Sequence, residues 1–284
     1  MIFSFNAVAS MSLLVIAVQA TEVHQQLASK ENKTRMQIVR ALGMQGKDAK
    51  EHLPLLIDAL EREKDIDIRV EIMVSMAKID NTNAKVINAI IERFHDRDSY
   101  VRASALGVAW DGIGIHGMKQ YVAFVNDKKN ERDYFFGLMA IGLTYENNRE
   151  KKIPDYVVKC LEKNLFDETF DVRLTASLAF QGIAGKEGTL DRLPTINKAF
   201  LEFGGIRSNF TTIYRAYGER SLPFLKKNLE HADEEVRAST LRVLAAMGAS
   251  ARTLVPEIEK ATQDPSTDVR FEARFTLRKL SEKK

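Results

Sequence analysis

In 284 residues there is one cysteine, Cys160, and one tryptophan, Trp110. A lone cysteine rules out an intrachain disulfide and any cage of paired thiolates. In its apolar helical context Cys160 reads as a small core residue. Histidine is scarce too. His24, His52, His95, His116 and His231 are scattered, none is followed by glutamate, and each reads as a solvated or turn residue. No HExxH, GxSxG or GxxxxGKS/T stretch occurs, which removes the common zinc-protease, serine-hydrolase and phosphate-loop chemistries. Charge excess is missing as well. Lys and Arg total 42 against 39 Asp and Glu, a net charge of +3, too small to imply nucleic acid or an anionic membrane as partner. After residue 20 no apolar run is long enough to span a bilayer. No cofactor is implied.

Residues 1–20, MIFSFNAVASMSLLVIAVQA, carry no charged side chain and turn mostly apolar from Ala7. Val18 and Ala20 give the small-x-small pattern of a signal-peptidase cut before Thr21. The expectation is a signal peptide over 1–20, export to the periplasm or exterior, and one domain over 21–284. The segment departs from the usual pattern in having no Lys or Arg ahead of its apolar run. An uncleaved anchor and a buried first helix are the other two readings.

Against these absences stands a repeat. Arg35, Arg69, Arg102, Arg173, Arg207, Arg237 and Arg270 follow one another at gaps of 34, 33, 71, 34, 30 and 33 residues, the long gap being close to a double period. A unit beginning at Asp133, with Tyr134 in the arginine's place, fills it. Counting from the residue before each arginine, apolar or small residues recur at offsets four and eight. Examples are Ile38 and Leu42, Ile72 and Met76, and Ala176 and Phe180. Offsets 0, 4, 7 and 8 form one face of an α-helix. A second helical pattern precedes each of these, and five of the six prolines (Pro54, Pro154, Pro194, Pro223 and Pro256) share one place near its start, where a missing N–H costs nothing. A longer loop is expected near Glu146–Lys152. Self-similarity of this period signals stacked supersecondary units.

The segments DVRLTASLAFQGI, EVRASTLRVLAAMG and DVRFEARFTLRKL resemble HEAT repeats, in particular the short bacterial kind also found in bilin lyases. The resemblance covers residues 31–284. It implies an all-α fold, a right-handed α-solenoid of about eight helix pairs of armadillo-like architecture, with the second helix of each pair lining a concave side. It further implies that Asp67, Asp171, Glu235 and Asp268, each two residues before a recurring arginine, join those arginines in ladders between neighbouring units. The paired His-Glu motifs of iron-holding HEAT-repeat hydroxylases are absent. Some HEAT-like proteins are DNA glycosylases, and Trp110 with Asp111 is superficially similar to their sites. A bilin lyase or an accessory chaperone is the third alternative.

Offsets 2, 6 and 9 lie opposite the stacking stripe and should face the concave side. A purely structural repeat would be polar there. This chain places Val70 and Val74, Phe135 and Met139, and Leu174 and Leu178 at offsets 2 and 6, with Trp110 and Arg215 at offset 9. The expectation is a non-catalytic scaffold whose concave side binds a protein or peptide through these eight residues. Nucleic acid is not expected as partner, and no catalytic or metal-binding residue is assigned. The rival reading buries the apolar groups by tight curvature. Phe271 and Phe275, on the last unit, would be exposed and mark self-association.

Overall fold

The computed structural model describes residues 20–127, 129, 133–147 and 152–282. The expected leader at 1–20 lies outside them except for Ala20, and the expected loop at Glu146–Lys152 lies largely outside them. Among the described residues there are helices and one isolated parallel bridge, between Lys152 and Glu187, but no strand. The chain divides into two compact units between Gly117 and Met118.

Among the described residues the N-terminal unit holds three helix pairs. They are α1 (Ala20–Leu27) with α2 (Asn32–Gln45), α3 (Leu53–Arg62) with α4 (Ile66–Asp80), and α5 (Ala84–Ile91) with α6 (Ser99–Gly107). Among the described residues the C-terminal unit holds five. They are α7 (Met118–Asn126) with α8 (Tyr134–Asn147), α9 (Asp155–Leu165) with α10 (Phe170–Gln181), α11 (Leu193–Glu202) with α12 (Phe210–Tyr217), α13 (Leu222–Asn228) with α14 (Glu234–Met247), and α15 (Val255–Ala261) with α16 (Thr267–Ser281). The first pair begins eleven residues ahead of the stretch in which the resemblance was legible, because α1 lacks the proline that marks most of the other first helices.

Local chemistry sets the helix ends. Pro54, Pro194, Pro223 and Pro256 occupy the first turn of α3, α11, α13 and α15. The carboxylates of Asp65, Asp98 and Asp233 and the amide oxygen of Asn83 accept backbone N–H groups at the starts of α4, α6, α14 and α5. Four second helices close on a glycine of nearly one geometry: Gly46, Gly114, Gly218 and Gly248 have φ of 57°, 57°, 58° and 59°. That is the left-handed region, where a Cβ clashes with its own carbonyl.

The stacking stripe is the core. All eight offset-four residues are buried, and so are seven of the eight at offset eight, Leu277 being the half-exposed one. Each second helix also packs on the next second helix within its unit, as α2 on α4, α8 on α10 and α14 on α16. This second contact corrects the face assignment at offset 9 in three of the eight units. Gly43, Ala77 and Gly142 stand there and are buried. At Gly142 a Cβ would come within 2.5 Å of the Ala179 backbone, so the two helices touch through that position. One helix is shorter than its pattern. A run starting at Ile206 opens as a 3₁₀ turn, Gly204–Asn209, and α12 starts only at Phe210. Gly204 and Gly205 are poor helix formers at the entry.

The recurring arginines tie helix ends together. Arg35, Arg102, Arg173, Arg207, Arg237 and Arg270 each donate to the carbonyl six residues earlier, at the end of the preceding helix, at 2.7–2.9 Å. Several also reach a carboxylate one repeat on: Arg35 to Glu63 at 2.7 Å, Arg69 to Asp96, Arg207 to Asp233 at 3.4 Å and Arg237 to Asp264 at 2.8 Å. The partners are therefore not Asp67, Asp171, Glu235 and Asp268. Those acids sit in the first turns of α4, α10, α14 and α16, where they face the positive end of the helix dipole. Arg173 departs again, stacking 4.6 Å over the ring of Phe203.

Candidate interaction surfaces

Offsets 2 and 6 reach solvent. Of the sixteen residues at these positions, fifteen are exposed or half-buried, Ala238 being the buried exception. The expected apolar residues are thus open to solvent and not sealed by curvature. Val70 and Val74 on α4 are half-buried, as is Trp110. These three belong to the N-terminal unit. Phe135, Met139, Leu174, Leu178 and Arg215 belong to the C-terminal unit.

In the C-terminal unit, Tyr134 and Phe135 of α8 join Val172, Leu174, Thr175 and Leu178 of α10, with Thr169 and Asp171 ahead of them, around an open cleft of about 510 Å³. Phe135 is 47% exposed and Leu178 39%. The Phe135 ring meets that of Phe136 edge to face at 5.4 Å, which fixes its direction. Glycines set the frame. At Gly137 a Cβ would lie 2.7 Å from Val125, and at Gly182 it would lie 2.2 Å from the Gly142 carbonyl, so α8 is pressed on α7 at one end and on α10 at the other. Met139 is half-buried beside this group and does not line the cleft; Arg215, on α12, is exposed and lies outside it. The Cys160 thiol, on α9, is buried, and burial pushes its pKa up to about 11.

The N-terminal unit carries a second cleft, of about 630 Å³, which the pattern of offsets did not anticipate. Val74, Ala77 and Lys78 of α4, the Asp80–Thr82 turn, Lys47 and Lys50 after α2, and Gly107, Val108, Asp111 and Gly112 line it. Residues Val108–Ile113 continue α6 as a π-helical turn. Such a turn leaves a carbonyl without its helical partner, and the Asn81 side chain donates to that of Gly112 at 3.0 Å. Gly112 allows the approach, since a Cβ there would lie 3.3 Å from that of Ala77. Trp110 rides on the same turn. The usable signal was a mid-helix glycine, Gly107, at a groove offset one repeat beyond three lysines.

Among the described residues, no three His, Cys, Asp or Glu side chains gather as a metal-holding group, and no helix is long and apolar enough to cross a membrane. His52 departs from its expectation, being buried. At the far end of the chain, Phe271 is 66% exposed, while Phe275 is half-buried with Arg278 and Lys279 at 5.4 and 6.0 Å from its ring.

Comparison with known proteins agrees with the repeat geometry. A family model described as HEAT repeats matches residues 20–109, which is repeats one to three. No curated protein matches significantly. Solved structures that superpose include an engineered protein (TM-score 0.41, 16% identity, covering 92% of this chain and 78% of that one). Human deoxyhypusine hydroxylase in complex with glycerol is another (0.37, 16%, 93% and 96%). A designed armadillo repeat protein in complex with the peptide (KR)4 is a third (0.26, 18%, 93% and 100%). All three superpositions are loose. Residues 20–109 of the chain are thus HEAT repeats.

Proposed function

We propose that the protein is a non-catalytic scaffold, exported from the cell, that binds a protein or peptide through the open faces of its second helices. The observation that carries this is the cleft of Phe135, Leu174 and Leu178. Its lining is mainly apolar, these three residues stand at positions a structural repeat would make polar, and Phe135 and Leu178 are exposed. An aromatic anchor buries about 150–250 Å² in a complex. At about 25 cal/mol per Å² that is several kcal/mol before ordering costs. Val70, Val74 and Trp110 offer a comparable surface in the N-terminal unit. Arg215 supplies a charged position in the C-terminal unit.

A photo-crosslinking amino acid tests the face. Placed at position 178, on α10, it should capture a discrete partner in the native host. Placed at Lys159, exposed on the first helix α9, it should capture none. Equal capture at both positions, or none at 178, contradicts the proposal.

A further inference from the structure

The cleft of the N-terminal unit has a chemistry that the C-terminal cleft lacks. Asp80 is already occupied there. Its Oδ2 takes Lys50 Nζ at 2.9 Å, and its Oδ1 takes the N–H and hydroxyl of Thr82 at 3.1 and 2.7 Å. Lys50 and Asp80 therefore form a neutral pair. Lys47 and Lys78 remain exposed, and among the described residues neither has a carboxylate within 4.0 Å. Asp111, also exposed, is the remaining charge. Two cations stand against one anion, beside an apolar lining of Val74, Ala77 and Val108.

Gly107 is the second observation. A glycine inside a helix costs about 1 kcal/mol relative to alanine. Some glycines are required by close approach, but a Cβ at Gly107 would meet nothing within 4 Å. Its backbone is not in the left-handed region either. Neither packing nor backbone conformation asks for glycine at this position, and what its missing side chain provides is open cleft.

We propose that this cleft binds an acidic peptide segment, a Glu or Asp carboxylate next to an apolar side chain. The carboxylate lies on Lys47 and Lys78, the apolar side chain packs against Val74, Ala77 and Val108, and Asp111 accepts a peptide N–H. The inference rests on the scaffold reading and adds the charge class of the bound segment.

Trp110 shares the turn with Val108 and Asp111 but does not line the cleft, so binding is read by isothermal titration calorimetry. The full chain is titrated with the peptide acetyl-Gly-Leu-Glu-Leu-Glu-Gly-amide and with its Gln counterpart. The Glu peptide should give saturable heat and an affinity that weakens with added salt. The Gln peptide, and the variant Lys47→Gln/Lys78→Gln, should bind about tenfold more weakly. Gly107→Leu, which extends into free space, should melt no lower than wild type and should lose binding. Equal affinity for the Gln peptide, full affinity in the double variant, no saturable heat at all, or equal saturation by inorganic phosphate would each overturn the inference. Failure here with crosslinking at position 178 intact removes only the acidic segment. Loss of crosslinking with peptide binding intact removes only the apolar face.

Discussion

Arg69 and Asp96 form a buried ion pair, with side chains 6% and 5% exposed, across the step from one repeat to the next. Removing one member of such a pair strands the other charge, at a cost of about 3–5 kcal/mol. Arg69→Ala should therefore lower the free energy of unfolding by about 3 kcal/mol in urea titration, and a loss below 1 kcal/mol would show the pair to be dispensable. Cys160 gives a second residue-scale expectation. Its buried thiol, pushed up to about 11, should react with a thiol reagent at pH 8 only as fast as the protein unfolds. Immediate reaction would contradict its placement. The arginines were legible in the sequence because they repeat. Their acid partners were not, because each lies 26–28 residues further on in the next repeat, while a nearer acid at the helix start serves the dipole.

At the scale of the element, the helices end where backbone geometry stops them. Gly218 caps α12 at φ 58°, and an alanine there is strained. Gly218→Ala should destabilise by about 1 kcal/mol. Gly107→Ala, in helical conformation with free space around it, should stabilise by about 0.5–1 kcal/mol. Thermal unfolding of the two variants should shift in opposite directions, and a shift of both the same way would contradict the contrast. The pairing of helices and their core faces could be read from offsets 4 and 8 and from the shared proline. The π turn at Val108–Ile113 could not, since it depends on Asn81 from the neighbouring repeat reaching the Gly112 carbonyl. Burial at offset 9 in three units escaped the pattern for a related reason: helical periodicity describes one helix, and Gly142 is buried by another.

At the scale of the whole molecule, the links between repeats make stability depend on pH. The Arg237 hydrogen bond holds Asp264 below the usual carboxylate range, and Lys50 and Thr82 bring Asp80 down to about 2. Burial pushes Glu63 up, but hydrogen bonds from Arg35 and the backbone bring it below its ordinary value. A folded-state pKa below the unfolded one gives stability that is full above the unfolded value, near 4, and is lost as pH falls through the folded one. Melting temperature should thus hold from pH 7 to about 5 and fall steadily toward pH 2. Arg237→Ala should flatten part of that fall, and an unchanged acid profile would show that Asp264 does not contribute to it. Because these interactions occupy the stacking faces, the open faces of α8 and α10 are free for the proposed partner. The most direct measurement is therefore the variant Phe135→Ser/Leu178→Ser, compared with wild type for unfolding free energy and for the partner it retains in the native host. The account predicts stability within about 1 kcal/mol of wild type, as for surface substitutions, with the partner lost. A partner retained at full yield, or a destabilisation above about 3 kcal/mol, would contradict it.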